Sequence, residues 1–175
     1  MKSLFLCLAT AFAVIIVSSG CSDRAAQPAP AVEQKAAGDG YQTALPAAFI
    51  SKAIQADGRC FVDDVNGQPP SAHYEVSGNR PLTIDGWVTG SAATVPPVVA
   101  VELASGGAQS YYAPAQRVNR PGLGQALKNP AFDQAGLQST AALSGVAPGS
   151  YSVRLLAVGE QGANRCDPNV LVVIK

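Results

Sequence analysis

The sequence is short of the residues from which most active sites and nucleic-acid surfaces are made. One histidine, one tryptophan and one methionine occur in 175 residues. Lys plus Arg and Asp plus Glu are equal at 12 each, and neither sign gathers into a patch. Nothing therefore supports nucleic-acid binding or electrostatic attachment to lipid headgroups. The lone histidine, His73, lies in Ser71-Ala72-His73-Tyr74-Glu75. No Gly-x-Ser-x-Gly elbow accompanies it, and Glu75 has no specific reason to orient it, so His73 reads as an exposed, solvated side chain. Asp63, Asp64 and Asn66 cluster oxygen ligands before Gly67, but the rest of a calcium loop is missing, and Asn66-Gly67 reads as a tight turn. Asp85, Glu102, Asp133 and Glu160 are scattered, with no motif to unite them as paired catalytic carboxylates. No catalytic residue, metal site or cofactor is expected.

Long apolar runs are scarce too. The one at the start, residues 3–17, follows Lys2 and breaks into small polar residues at Ser18. That is short of the roughly 20 residues a spanning helix needs, and it has the layout of a signal peptide. The junction Val17-Ser18-Ser19-Gly20-Cys21 resembles the lipobox of bacterial lipoproteins. The resemblance implies cleavage before Cys21, lipid on Cys21 and residence in the bacterial cell envelope. Ser22, rather than Asp, after the cysteine resembles the outer-membrane sorting signal of Gram-negative cells. Each buried methylene contributes about 0.8 kcal/mol, so two or three acyl chains hold where one is marginal.

Cleavage leaves 155 residues (175 minus 20), about one domain, with a formal charge of 11 minus 12, or −1. Residues 1–20 then form the signal peptide and residues 21–44 a flexible tether rich in Ala, Pro and Gln, which spaces the domain from the membrane. Residues 45–58 place Phe49, Ile50, Ala53 and Ile54 at helical spacing between Pro46 and Gly58, which predicts a short helix. Residues 59–175 turn to short β-branched and apolar runs parted by Gly, Pro, Asn and Ser. Strands are expected at 60–65, 81–89, 97–104, 109–117, 137–143, 150–158 and 169–174, seven in all. Leu82, Ile84 and Gly86 alternate, as do Tyr151, Val153, Leu155 and Ala157, so one face should pack and the other stay wet. The fold class expected is all-β, a β-sandwich of about seven strands. Residues 119–136 carry too many prolines and glycines for a strand and read as a packed or recognition loop. Gln125 to Lys128 would form one helical turn, and Phe132 and Leu137 would pin the segment to the core.

Several pieces together resemble an immunoglobulin-like module of bacterial envelope proteins: Cys60-Phe61-Val62-Asp63, Gly86-Trp87, Arg120-Pro121, Gly136-Leu137 and Pro148-Gly149-Ser150-Tyr151. The resemblance covers nearly everything after Cys60 and implies fold more than function.

Cys7 leaves with the signal peptide and Cys21 is lipidated, which leaves Cys60 and Cys166 to form a disulfide in an oxidising compartment. Trp87 follows an apolar alternation and reads as core. Tyr111 and Tyr112 are adjacent, so on a strand they face opposite ways and one should be exposed as a contact residue. Arg117 and Arg120 flank Asn119 beside the long loop and either pair locally, with a carboxylate such as Asp133, or present donors to a partner. The function expected is a non-enzymatic, lipid-anchored module that binds an envelope protein or glycan through its loops. A permanent structural subunit of an envelope complex and, further off, a hydrolase with an unfamiliar site are the alternatives.

Overall fold

The computed structural model describes residues 40–175 apart from Ala92 and Ala108. The signal peptide, Cys21 and most of the tether lie outside the described residues.

The domain is all-β, a 9-stranded sheet that curls on itself. Its strands are β1 (Ile54–Gln55), β2 (Cys60–Val65), β3 (His73–Val76), β4 (Leu82–Val88), β5 (Val98–Ser105), β6 (Ser110–Val118), β7 (Gly136–Ala141), β8 (Gly149–Gly159) and β9 (Gly162–Ile174). The pairing order is β1-β9-β8-β5-β6-β7-β4-β2, with β3 also on β9. The curl happens within β6. Its residues Ser110 to Ala115 pair with β5, whereas Gln116 to Val118 pair with β7. Two halves thus face each other over one apolar core. Val62, Leu82, Ile84 and Leu137 come from one half, and Val99, Val101, Leu103, Val153, Leu155 and Val172 from the other. The period-2 pattern delivers this directly, because Leu82, Ile84, Gly86 and Val88 are buried while Thr83, Asp85 and Trp87 between them face outward.

A disulfide joins Cys60 of β2 to Cys166 of β9 across the two halves, with the α-carbons 6.0 Å apart. That separation lies within the span disulfide geometry allows. Cys166 sits inside a 13-residue strand rather than just before it, because β9 begins at Gly162.

Two strands are absent from the sequence expectation. β3 and β1 both run parallel to β9, on its otherwise open edge. β1 has two residues and β3 four, too few to show an alternation by themselves. The helix expected over residues 45–58 is a single turn, α1 (Ala47–Ile50), and Ile54 already belongs to β1. Pro46 opens it as expected, but tertiary packing decides the rest: Phe49 is fully buried and the chain then extends to pair with β9. This segment lies on the outer face of the β5-β8-β9 half. There Phe49 packs with Ala100, Leu156, Val158 and Ala163 in a second, smaller core. The wet outer face expected there is therefore partly covered. The stretch expected as tether up to residue 44 is already docked on the domain at Tyr41 and Gln42. Tyr41 N–H donates to Ala142 O (3.0 Å), Gln42 exchanges backbone bonds with Tyr112 (2.8 and 2.6 Å), and the Tyr41 ring is buried in the main core.

The crossover between β6 and β7 contains α2 (Leu123–Leu127) and a 3-10 turn (Pro130–Gln134). Leu137 enters the main core as expected, whereas Phe132 does not: it joins Leu123 and Ala135 in a third cluster that packs against Trp87. Trp87 is not core. It faces outward from β4 and is half-buried under this crossover, because the inward positions of that strand belong to the Leu82 series.

Candidate functional site

Strand direction sorts the loops into two sets. Residues 56–59, 89–97, 119–135 and 160–161 gather at one end of the domain, while residues 66–72, 106–109 and 142–148 lie at the other. The chain arrives from its N-terminal side at the second end, where Gly40 bridges Ala142.

The four candidate contact residues do not share a surface. Tyr111 and Tyr112 do face opposite ways, Tyr111 against the main core and Tyr112 against the Phe49 cluster. Neither is exposed, however. Tyr111 meets Tyr151 edge to face at 5.8 Å, and Tyr112 is covered by the arriving segment. Arg117 and Arg120 lie five and eight residues beyond Tyr112 along β6 and its exit, about 16 Å or more away at strand rise.

Arg117 is a half-buried strut. Its Nε donates to Pro96 O (2.8 Å) and its Nη1 to Val88 O (3.1 Å) and Ala135 O (2.6 Å). One guanidinium thus ties the β4–β5 loop to the end of the β6–β7 crossover. Burial depresses its pKa to about 10. Arg120 does not pair with Asp133. Its guanidinium grips Asp63 of β2 through both nitrogens, with Nη2 donating to Oδ1 at 2.5 Å. Burial raises the Asp63 carboxyl above its ordinary value, against the opposing pull of Arg120. Asp133 has another task. Its Oδ1 accepts from Gly124 N–H (2.8 Å) and its carbonyl from Arg120 N–H (2.6 Å), which folds the crossover onto its own root.

Between the two loops that Arg117 ties together lies a cleft of about 520 Å3. Phe132 and Leu127 give it an apolar side, Thr89 to Ser91 and Asn129 a polar one, and Arg59 and Lys128 are its charged residues. Asn129 links the two loops by donating from Nδ2 to Ala93 O (3.3 Å). Ala93 and Lys128, both on the cleft, adopt positive φ of 54° and 60°, an uncommon conformation for residues with a side chain. Gly58 is required by contact as well as by its φ of 90°, since a β-carbon there would lie 2.6 Å from both Thr89 O and Asn164 Nδ2. A narrower cleft of about 260 Å3 shares Gly90 and Ser91 and reaches the β8–β9 hairpin.

Elsewhere several of the charged side chains engage one another. Glu102, buried on the outer face of β5, accepts from Ser110 Oγ (2.8 Å) and sits 3.6 Å from Arg154 and 3.9 Å from Arg165. His73 is exposed on β3; neighbouring Glu75 bonds Lys175 Nζ (2.6 Å), and Ser71 Oγ donates to the His73 carbonyl. Asn66 and Gly67 form the expected turn with φ of 53° and 73°, and Asp64 Oδ1 accepts from Gly67 N–H (3.0 Å). Among the described residues no three His, Cys, Asp or Glu side chains converge as a metal site requires.

Sequence reasoning singled out the crossover, cast Arg117 as a partner contact or carboxylate partner where it bonds backbone carbonyls instead, and missed Arg59 and the β4–β5 loop. Arg59 stands in no periodic pattern, and only the Gly58-Arg59-Cys60 juncture marks it as a place where backbone approaches closely.

No known protein family, curated protein or solved structure matches this chain.

Proposed function

We propose that the chain is a lipid-anchored, non-enzymatic binding domain of the bacterial cell envelope, at the outer membrane in a Gram-negative cell, which captures a protein or glycan partner through its loop end. One observation carries this reading. The cleft flanked by Arg59 and Lys128 lies at the end opposite Gly40, where the chain arrives from Cys21. A domain held by lipid on Cys21 would present that cleft away from its point of attachment.

The immunoglobulin-like reading has its own support. β3 runs parallel to β9, β6 passes from one half to the other, and Tyr151 Oη donates to Ala147 O (2.7 Å) four residues upstream. The last contact has the form of the tyrosine corner of such sandwiches, and it falls within Pro148-Gly149-Ser150-Tyr151. The non-enzymatic reading is supported by the exposed position of His73, whose neighbour Glu75 is occupied by Lys175.

The test is photo-crosslinking in native membranes from Ser91 and, as a control at the arrival end, from Ser144. Adducts from Ser91 and not from Ser144 are expected, together with release of the protein from membranes in Cys21→Ser. Adducts confined to Ser144, or continued membrane association of exported Cys21→Ser, would overturn the reading.

A further inference from the structure

Nine cationic side chains belong to the described residues, and five of them are engaged: Arg117 on carbonyl oxygens, Arg120 on Asp63, Arg154 and Arg165 around Glu102, and Lys175 on Glu75. Lys52, Arg59, Arg80 and Lys128 make no ion pair or side-chain hydrogen bond. Two of these four, Arg59 and Lys128, line the same cleft, and no Asp or Glu lines it with them. They arrive there from segments 69 positions apart in sequence (128 minus 59), so their meeting is a product of the fold. Phe132 and Leu127 add apolar surface within the same cleft. A volume of about 520 Å3 falls in the range of small-ligand sites, roughly 300 to 1,000 Å3.

Two cations on the lining of one cleft, without an acid beside them there, give it an uncompensated attraction for an anion. The walls are also held in place beforehand. Arg117 ties the two loops together, and Asn129 joins them through Ala93, so little ordering is left for a ligand to impose. Resting on the reading of the loop end as the binding end, we propose that this cleft binds a carboxylate or phosphate group carried on an apolar body. Arg59 and Lys128 hold the anion, and the Phe132 and Leu127 side receives the body.

The experiment is an NMR titration of the full mature chain, made soluble by Cys21→Ser, with four probes: phenyl phosphate, benzoate, inorganic phosphate and neutral benzyl alcohol. Fragments of this size bind with Kd on the order of millimolar at best. Saturable shifts are expected at residues 89–93 and 127–132 for phenyl phosphate and benzoate, with inorganic phosphate and benzyl alcohol each weaker. Loss of both cations in Arg59→Gln/Lys128→Gln should weaken phenyl phosphate binding about tenfold, while the rest of the spectrum stays unchanged. No saturable shift in the cleft, equal binding of the neutral probe, or binding that survives the double substitution would overturn the proposal. Inorganic phosphate binding as tightly as phenyl phosphate would overturn the apolar half of it. Crosslinks from Ser91 that persist in the double variant would sink this ligand class and leave the binding end standing; crosslinks only from Ser144 would sink the binding end itself.

Discussion

The two ends of the domain are finished by different means. At the arrival end, rings close the structure: Tyr41 is buried in the core, Tyr111 packs edge to face on Tyr151, and Tyr151 caps its corner through Ala147. At the loop end, one buried guanidinium gathers the carbonyls of Val88, Pro96 and Ala135, and clefts remain on the loops it holds. Apolar closure fills space with packed rings. A long cationic strut links loops at a distance and leaves room between them, at the cost of desolvating a charge that depresses its own pKa. The contrast sets an end closed by packed rings against an end whose loops are held by one guanidinium, and substitutions can break it.

The largest effect belongs to the element that spans both halves. Cys60→Ser with Cys166→Ser opens a loop closed across 106 residues, for which chain-entropy estimates give about 4 to 5 kcal/mol. The expected result is a large loss in urea-unfolding free energy for the domain as one unit. A two-step transition, with the loop end melting first, would show that the ends are separable and weaken the comparison.

Arg117→Met comes next. It removes the donors from three carbonyls and should lower stability by about 2 to 4 kcal/mol, with Arg117→Lys intermediate because one ammonium cannot reach all three. Amide exchange should rise at residues 89–97 and 130–135 and stay unchanged around Tyr41. A uniform rise would mean that the strut supports the core rather than the loops.

Much of this was readable in advance where pattern and period coincide. The Leu82-Ile84-Gly86 and Tyr151-Val153-Leu155-Ala157 alternations fix which face is inward, and cysteine elimination fixes the Cys60–Cys166 bridge. The rest depended on edges. β1 and β3 exist because β9 offers an open parallel edge, and parallel pairing between segments about 100 residues apart leaves no local signal. Tyr111 and Tyr112 were correctly set on opposite faces, but the cover over Tyr112 comes from residues 40–50, whose composition reads mostly as tether and helix. Arg120 sought the acid nearest in its own loop and found Asp63 on β2, since the curl brings that strand beside the crossover. The cleft itself was half legible: Lys128 lies in the segment marked as a recognition loop, while Arg59 becomes notable only once β2 is docked beside Thr89.

Tyr41→Phe tests the arrival end in the opposite direction. The Tyr41 hydroxyl is buried without a hydrogen-bond partner, and burial raises its pKa far above the usual phenol value. Removing that hydroxyl while keeping the ring should stabilise the domain by about 1 kcal/mol, read from urea unfolding. A loss instead of a gain would mean that the hydroxyl is satisfied by water and that this end, too, relies on polar closure.

Asp63→Asn gives the smallest effect and one that depends on pH. Burial raises the Asp63 pKa, and Arg120 pulls it down without cancelling the rise. An acid whose folded pKa exceeds its unfolded one holds its proton more tightly when folded. Its contribution to stability is therefore more favourable below the unfolded carboxylate range and declines as pH climbs through the raised folded value. At neutral pH the ionised Asp63 is thus a small net cost relative to the protonated form, softened by the half-exposed Arg120 beside it. Asn cannot ionise, yet it still offers Arg120 an acceptor oxygen. The stability difference between Asp63→Asn and the native chain should accordingly shift in favour of the variant as pH rises from 3 to 7, by less than about 1 kcal/mol for a pair this open to solvent. Thermal unfolding of both proteins across that range measures it. A difference that moves the other way would show that the Arg120 pair outweighs burial, and would make β2 a second polar strut of the loop end alongside Arg117.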